Sequence, residues 1–116
     1  MPVWNKQIAP RALASRFPKL AIVAAHPSWP WHDEILAVAR HKTNVYLDLS
    51  GYLPRYMPEG FLRMATGLLQ DQTLFGSDYP FIMPDRWLAD FEGVEMRDGV
   101  REKVLIGNAK RLLGLP

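Results

Sequence analysis

The chain has 116 residues, 48% of them apolar, with 14 Lys and Arg against 12 Asp and Glu. This length and composition suit one domain with a core and argue against disorder, but they fall short of a complete (β/α)8 barrel, which takes roughly 200 residues or more. A formal charge of +2 with no run of five basic residues leaves no footprint for nucleic acid, and the lack of cysteine excludes disulfides, zinc ribbons and thiol chemistry. No apolar segment reaches membrane-spanning length and the start, Met1 to Lys6, has no signal-peptide core. The expected setting is therefore the cytoplasm, with neither membrane nor nucleic acid as a partner.

In chain order, Pro10–Arg16 reads as a short helix with proline in its first turn, ended by Phe17-Pro18. The first strand, Leu20–Ala25, is apolar throughout rather than alternating, which predicts burial of both faces, as in a parallel sheet. A second helix opens near Pro30. Asp33 and Glu34 lie in its first turn, where the helix dipole favours acids, and Trp31, Ile35, Leu36 and Ala39 form its apolar stripe. The second strand spans Asn44–Leu49 and closes at Ser50-Gly51. The third helix starts near Pro58 with the stripe Phe61, Leu62, Ala65, Leu68 and Leu69, weakened by Gly67.

The third strand, Thr73–Gly76, delivers Ser77-Asp78-Tyr79-Pro80. Pro84-Asp85 opens a helix carrying Trp87, Leu88 and Phe91. Asp98 is expected to cap a helix through Leu105, and Asn108 a last helix, Ala109–Leu113, stopped by Gly114. Residues 1–116 thus form one unit without linker or low-complexity segment. Strand starts at 20, 44 and 73 suit βαβ crossovers, and parallel strands would place His26, Ser50 and Asp78 on one rim.

Each rim residue admits two readings. Asp78 is a metal ligand and general base at a strand end, or a turn residue whose carboxylate satisfies backbone N–H groups. His26 exchanges a proton or polarises a carbonyl, or is an inert strand cap. Asp48, on the strand face shared with Tyr46, faces the polar interior of a barrel near its mouth or, as the preferred reading, is a buried carboxylate tied to backbone or a basic neighbour. Trp29 and Trp31 around Pro30 form a wall for a planar substrate or, as the preferred reading, packing. His32 and His41 fall on helix positions and are expected at the surface.

The four segments Leu20–Ala25 with His26-Pro27 and Trp29-Pro30-Trp31, Asn44–Leu49 with Ser50-Gly51, Leu74-Phe75-Gly76-Ser77-Asp78-Tyr79-Pro80, and Ile106-Gly107-Asn108-Ala109-Lys110-Arg111-Leu112-Leu113 resemble, in order and spacing, the amidohydrolase-related family. This is the branch of the amidohydrolase superfamily that contains aminocarboxymuconate-semialdehyde decarboxylase and the resorcylate-type decarboxylases. The resemblance covers nearly the whole chain. It implies an α/β fold that is the C-terminal portion, about three βα units with parallel strands, of a TIM-type (β/α)8 barrel, with strands six to eight present. It also implies a catalytic pair, His26 and Asp78, with Asp78 the metal ligand, and a divalent metal, most commonly zinc. The implied reaction is decarboxylation or hydrolysis of a small cyclic or aromatic carboxylic acid.

Two departures stand out. Ser28 occupies a position where the family often has Gly. No His-x-His occurs, and neither that pair nor the family's strand-five histidine has a counterpart. A catalytic zinc normally takes three protein ligands. The expectation is therefore a chain that neither holds metal tightly nor turns over substrate alone, and that needs an N-terminal half or self-association to cover its sheet. A non-catalytic interaction or regulatory module built on the same scaffold is the alternative. An unrelated small α/β fold would need a phosphate or cofactor loop, and no G-x-G-x-x-G or P-loop is present.

Overall fold

The computed structural model describes residues 8–116; the Met1 to Lys6 stretch read above lies outside them. Helix α1 (Ile8–Arg16) leads into β1 (Ile22–Ala25), α2 (His32–His41), β2 (Val45–Asp48), α3 (Glu59–Ala65), β3 (Thr73–Leu74), α4 (Pro84–Phe91), α5 (Val100–Glu102) and α6 (Asn108–Leu113). The strands form one parallel sheet in the order β1-β2-β3, with Ala25 opposite Asp48 and Asp48 opposite Leu74. The expected order, a helix, three βα units and short terminal helices, is the one observed. Among the described residues no helix is long and apolar enough to cross a membrane.

The core lies on one side of the sheet. Val45 and Leu47 of β2 and Leu49 beyond it meet Ile35 and Ala39 of α2, Phe61 and Ala65 of α3, and Trp87 and Phe91 of α4, all buried. The other side is open. Burial alternates along β1, and Val23 keeps 46% of its surface. This corrects the expectation that β1 is buried on both faces: its apolar run reads as doubly covered, but among the described residues helices pack on one face only. Val23, Ala25, Tyr46, Asp48 and Leu74 share the uncovered face by register.

Three helix boundaries differ from those expected. Helix α3 stops at Ala65, and Leu68, expected in its stripe, is 68% exposed while Leu69 is buried. The chain leaves the helix before Gly67, so the 3.6-residue spacing no longer sets which side chains turn inward. Asp98 makes no cap: Gly99, at φ 83°, occupies that position and the helix starts at Val100. Asn108 does not open a separate helix, because a π-helical segment, Lys103–Gly107, runs directly into α6. Its buried amide instead donates to the carbonyls of Gln70 (2.6 Å) and Thr73 (2.8 Å), which fixes the entry of β3. Within the π-helical segment, the Val104 carbonyl accepts the Phe75 N–H at 3.0 Å, so the end of β3 is held from the same side. Gly114, at φ 67°, ends α6 as expected.

The loop after β2 is tied to α4 by one ion pair. Asp90, 9% exposed, accepts the Arg55 Nε at 2.6 Å on one oxygen and the Arg55 backbone N–H at 2.9 Å on the other. Burial alone would push the Asp90 carboxyl up, but the two bonds from Arg55, its charge and that of Arg86 outweigh it and hold the group below the ordinary value of 3.8. With the folded value below the unfolded one, the stabilisation is complete above 3.8 and is lost as pH falls through the lower folded value. Thermal melting followed against pH should therefore show an acid decline that is shallower in Asp90→Asn, with the variant less stable at neutral pH. Parallel declines in the two proteins would show that the pair contributes nothing.

Candidate functional site

Parallel strands put every C-terminal strand end on one edge, and the chain spends its chemically capable side chains there. His26 follows β1, Asp48 ends β2 with Ser50 just beyond, and Asp78 lies four residues past Leu74. The shared rim expected from the sequence is present.

Its members interlock through missing side chains. The His26 ring lies over Gly51, which adopts φ 87°; a Cβ there would overlap the imidazole, with Cγ only 2.9 Å away. Asp48 fills the equivalent space at Gly76, where a Cβ would overlap its carboxylate and come within 3.1 Å of the Ser50 Cβ. Each strand end thus leans over the next. Asp48 is further fixed by Ser50, whose backbone N–H donates to Oδ1 at 3.1 Å and whose hydroxyl donates to Oδ2 at 3.0 Å. The expected tie to backbone holds, made by Ser50, but the carboxylate is half-buried on the uncovered face and not buried as expected.

Asp78 behaves differently. Its backbone sits at φ 77°, a left-handed conformation that few residues with a Cβ adopt, Asp and Asn more readily than most. The turn it begins is bonded through its main chain: its carbonyl accepts the N–H of Phe81 at 2.9 Å and of Ile82 at 3.3 Å. Among the described residues its carboxylate accepts no hydrogen bond. The expected turn is present, but Asp78 satisfies its N–H groups through the backbone carbonyl and not through the carboxylate. Buried Ser77 precedes it and exposed Tyr79 follows.

His26 is exposed, at φ 60°, and its carbonyl accepts the Trp29 N–H at 3.2 Å. Ser28 stands at φ 58°, so the position where a Gly was expected does take the left-handed conformation, and serine occupies it under strain. No hydrogen bond or ion pair joins His26 to Asp78 among the described residues, and no three His, Cys, Asp or Glu side chains cluster there to hold a metal ion. The described donor set does not fit a catalytic zinc, which takes three protein ligands.

Two expectations about the β1–α2 connection are corrected. Trp29, preferred as packing, is 62% exposed. His32, expected at the surface, has its ring 20% exposed and stacked flat on the Trp29 indole, with centroids 5.7 Å apart and planes 6° apart. Tyr52 and Tyr56, not singled out from the sequence, join them around a cavity. Their spacing around Pro54 was the available signal, but it lay in a segment that reads as a loop. His41 is exposed as expected.

These features agree with what the chain is similar to. A family model described as amidohydrolase matches residues 9–115. A comparison with curated proteins finds no match. Among solved structures, an uncharacterized TIM-barrel protein from Bordetella bronchiseptica is 34% identical with a TM-score of 0.82 over 90% of this chain and 38% of its own. The 5-carboxyvanillate decarboxylase LigW from Sphingomonas paucimobilis is 21% identical, TM-score 0.65, over 90% and 36%. A zinc-bound amidohydrolase from Burkholderia multivorans is 22% identical, TM-score 0.60, over 91% and 48%. The chain thus spans under half the length of each, and its three-stranded sheet is part of a TIM-type barrel whose open face is the side that such barrels fill. The match over residues 9–115 identifies the chain as a member of the amidohydrolase family.

Proposed function

We propose that this chain carries the His26 and Asp78 part of the reaction centre of a metal-dependent decarboxylase or hydrolase of cyclic or aromatic carboxylic acids, strands six to eight of its barrel. The observation that carries this reading is Asp78. The residue is half-buried at φ 77°, and its carboxylate accepts no hydrogen bond and joins no ion pair among the described residues. A left-handed backbone of this kind is retained where a side chain must be aimed. Family membership, the fold shared with a decarboxylase, and the position at a strand end support the same assignment.

In this role Asp78 transfers the proton. In a decarboxylation it delivers one to the ring carbon that loses CO2; in a hydrolysis it takes one from the attacking water. His26, at the end of β1 with β2 between it and the Asp78 strand and exposed above Gly51, hydrogen-bonds the substrate or the same water. The two residues do not make a zinc site, so the remaining ligands come from outside residues 8–116. The same surroundings, a further polypeptide or a second copy of the chain, cover the open sheet face.

Two outcomes test this. Asp78→Gly should leave stability within about 0.5 kcal/mol in denaturant unfolding, as release from the left-handed conformation offsets the added chain entropy. A loss of more than about 1 kcal/mol would make the carboxylate structural. In metal analysis after dialysis, the chain alone should hold far less than one zinc or manganese, and adding a polypeptide with a strand ending in His-x-His should raise retention in the native chain but not in Asp78→Gly. Stoichiometric metal in the chain alone, or equal retention in both proteins, would contradict the assignment.

A further inference from the structure

The β2–α3 connection and α4 leave between them a cavity of about 360 Å³ that none of the strand-end residues His26, Asp48 and Asp78 lines. Leu53 and Arg55 face it from the connection. Arg86, Ala89, Asp90 and Gly93 face it from one side of α4 and the turn just beyond, at three- and four-residue spacing. Alanine and glycine at two of these positions leave the space open instead of filling it.

Three observations give this cavity a positive charge that the described fold does not use. First, Asp90 is its one acid, and both carboxylate oxygens are taken by Arg55, one by Nε at 2.6 Å and one by the backbone N–H at 2.9 Å. Second, that pair engages only Nε of the Arg55 guanidinium and holds the group in place, while its two terminal nitrogens make no hydrogen bond among the described residues. Third, the Arg86 guanidinium joins no ion pair among the described residues. Its neighbour Asp85 accepts the Arg86 backbone N–H at 2.9 Å instead. A lone exposed arginine is ordinarily solvated. Two guanidinium groups on opposite walls of one small cavity, with the acid there already spent, raise the local positive potential and favour an anion between them.

We propose that this cavity binds a phosphate group, gripped between Arg55 and Arg86. A guanidinium presents paired N–H donors that match phosphate oxygens, and a tetrahedral dianion can take such a pair from each wall. A carboxylate carries a single charge and has fewer oxygens to share between two arginines, so it gains less. The space beside Leu53 and Ala89 has room for the organic part of a small phosphate monoester. Bound phosphate would add a second tie, beside the Arg55–Asp90 pair, between α4 and the loop that carries Ser50 and Gly51. A ligand that binds only the folded chain raises its stability. The inference goes beyond the proposed reaction and does not depend on it.

The test is titration of the full chain with inorganic phosphate, glycerol 3-phosphate and acetate at constant ionic strength, followed through the NMR signals of the Arg55 and Arg86 Nε–H groups. Both phosphates should saturate with a dissociation constant on the order of 1 mM, and acetate should bind at least about fivefold more weakly. A constant no lower for the ester assigns inorganic phosphate as the ligand, and a lower one assigns a phosphorylated metabolite; both support the site. Arg86→Gln, at an exposed position and with its fold checked by circular dichroism, should weaken phosphate at least about fivefold. It should also abolish the rise in melting temperature that phosphate gives the native chain. Arg63→Gln removes an equal charge from an exposed arginine paired with Glu59, outside the cavity, and should leave the affinity unchanged. Equal weakening by Arg63→Gln and Arg86→Gln, acetate binding as tightly as phosphate, or no saturation at about twentyfold the expected constant would each overturn the proposal and leave only non-specific charge attraction.

Discussion

A side chain at one strand end occupies the space that a glycine leaves at the next: His26 over Gly51, and Asp48 over Gly76. The rest of the rim depends on this exchange. Parallel strands bring their ends to one edge but do not fix what stands there; overlap with the neighbouring strand's backbone does. With Asp48 locked by Ser50 and seated against Gly76, the chain just before Ser77 and Asp78 has one path. The left-handed turn at Asp78 then aims a carboxylate that no part of the described fold uses.

The same arrangement explains how cost is distributed in the molecule. The helix side carries the apolar packing, through Phe61, Trp87 and Phe91, and its buried donors are used: the Thr73 hydroxyl is shared between the carbonyls of Ala65 and Leu69, and the Asn108 amide N–H groups donate to those of Gln70 and Thr73, while the Asn108 Oδ1 stays unpaired. The rim carries the left-handed backbone at Asp78. Between the two lies a sheet covered on one face, so the side that a complete barrel would fill remains accessible in this chain. Stability is built on the helix face and expended at the strand ends, which is where barrel enzymes place chemistry.

Much of the fold was legible because its signals are local. The runs Leu20–Ala25, Asn44–Leu49 and Thr73–Gly76, each trimmed by two residues in the structure, and the prolines at 10, 58 and 84 mark strands and helix starts by short-range sterics. The rim followed from parallel order alone. What failed to show depended on contacts distant in sequence. Asn108 reads as a cap until β3 lies beside it, and the free carboxylate of Asp78 emerges only when the turn is seen to be bonded through its main chain. Leu20–Ala25 looks the same whether one or both faces are covered, since an apolar strand does not encode what packs on it. His32 and Trp29, three residues apart, become partners only because the chain turns back at Pro30.

The interlocked rim is tested most directly by a double-mutant cycle in urea between Asp48→Ala and Gly76→Ala. If the Asp48 side chain occupies the space a Cβ would need, Gly76→Ala should cost about 1–3 kcal/mol in the native background. With Asp48→Ala already present it should cost at least about 1 kcal/mol less. Additive effects, with the glycine substitution equally costly in both backgrounds, would mean that the strand ends are not held by this exchange.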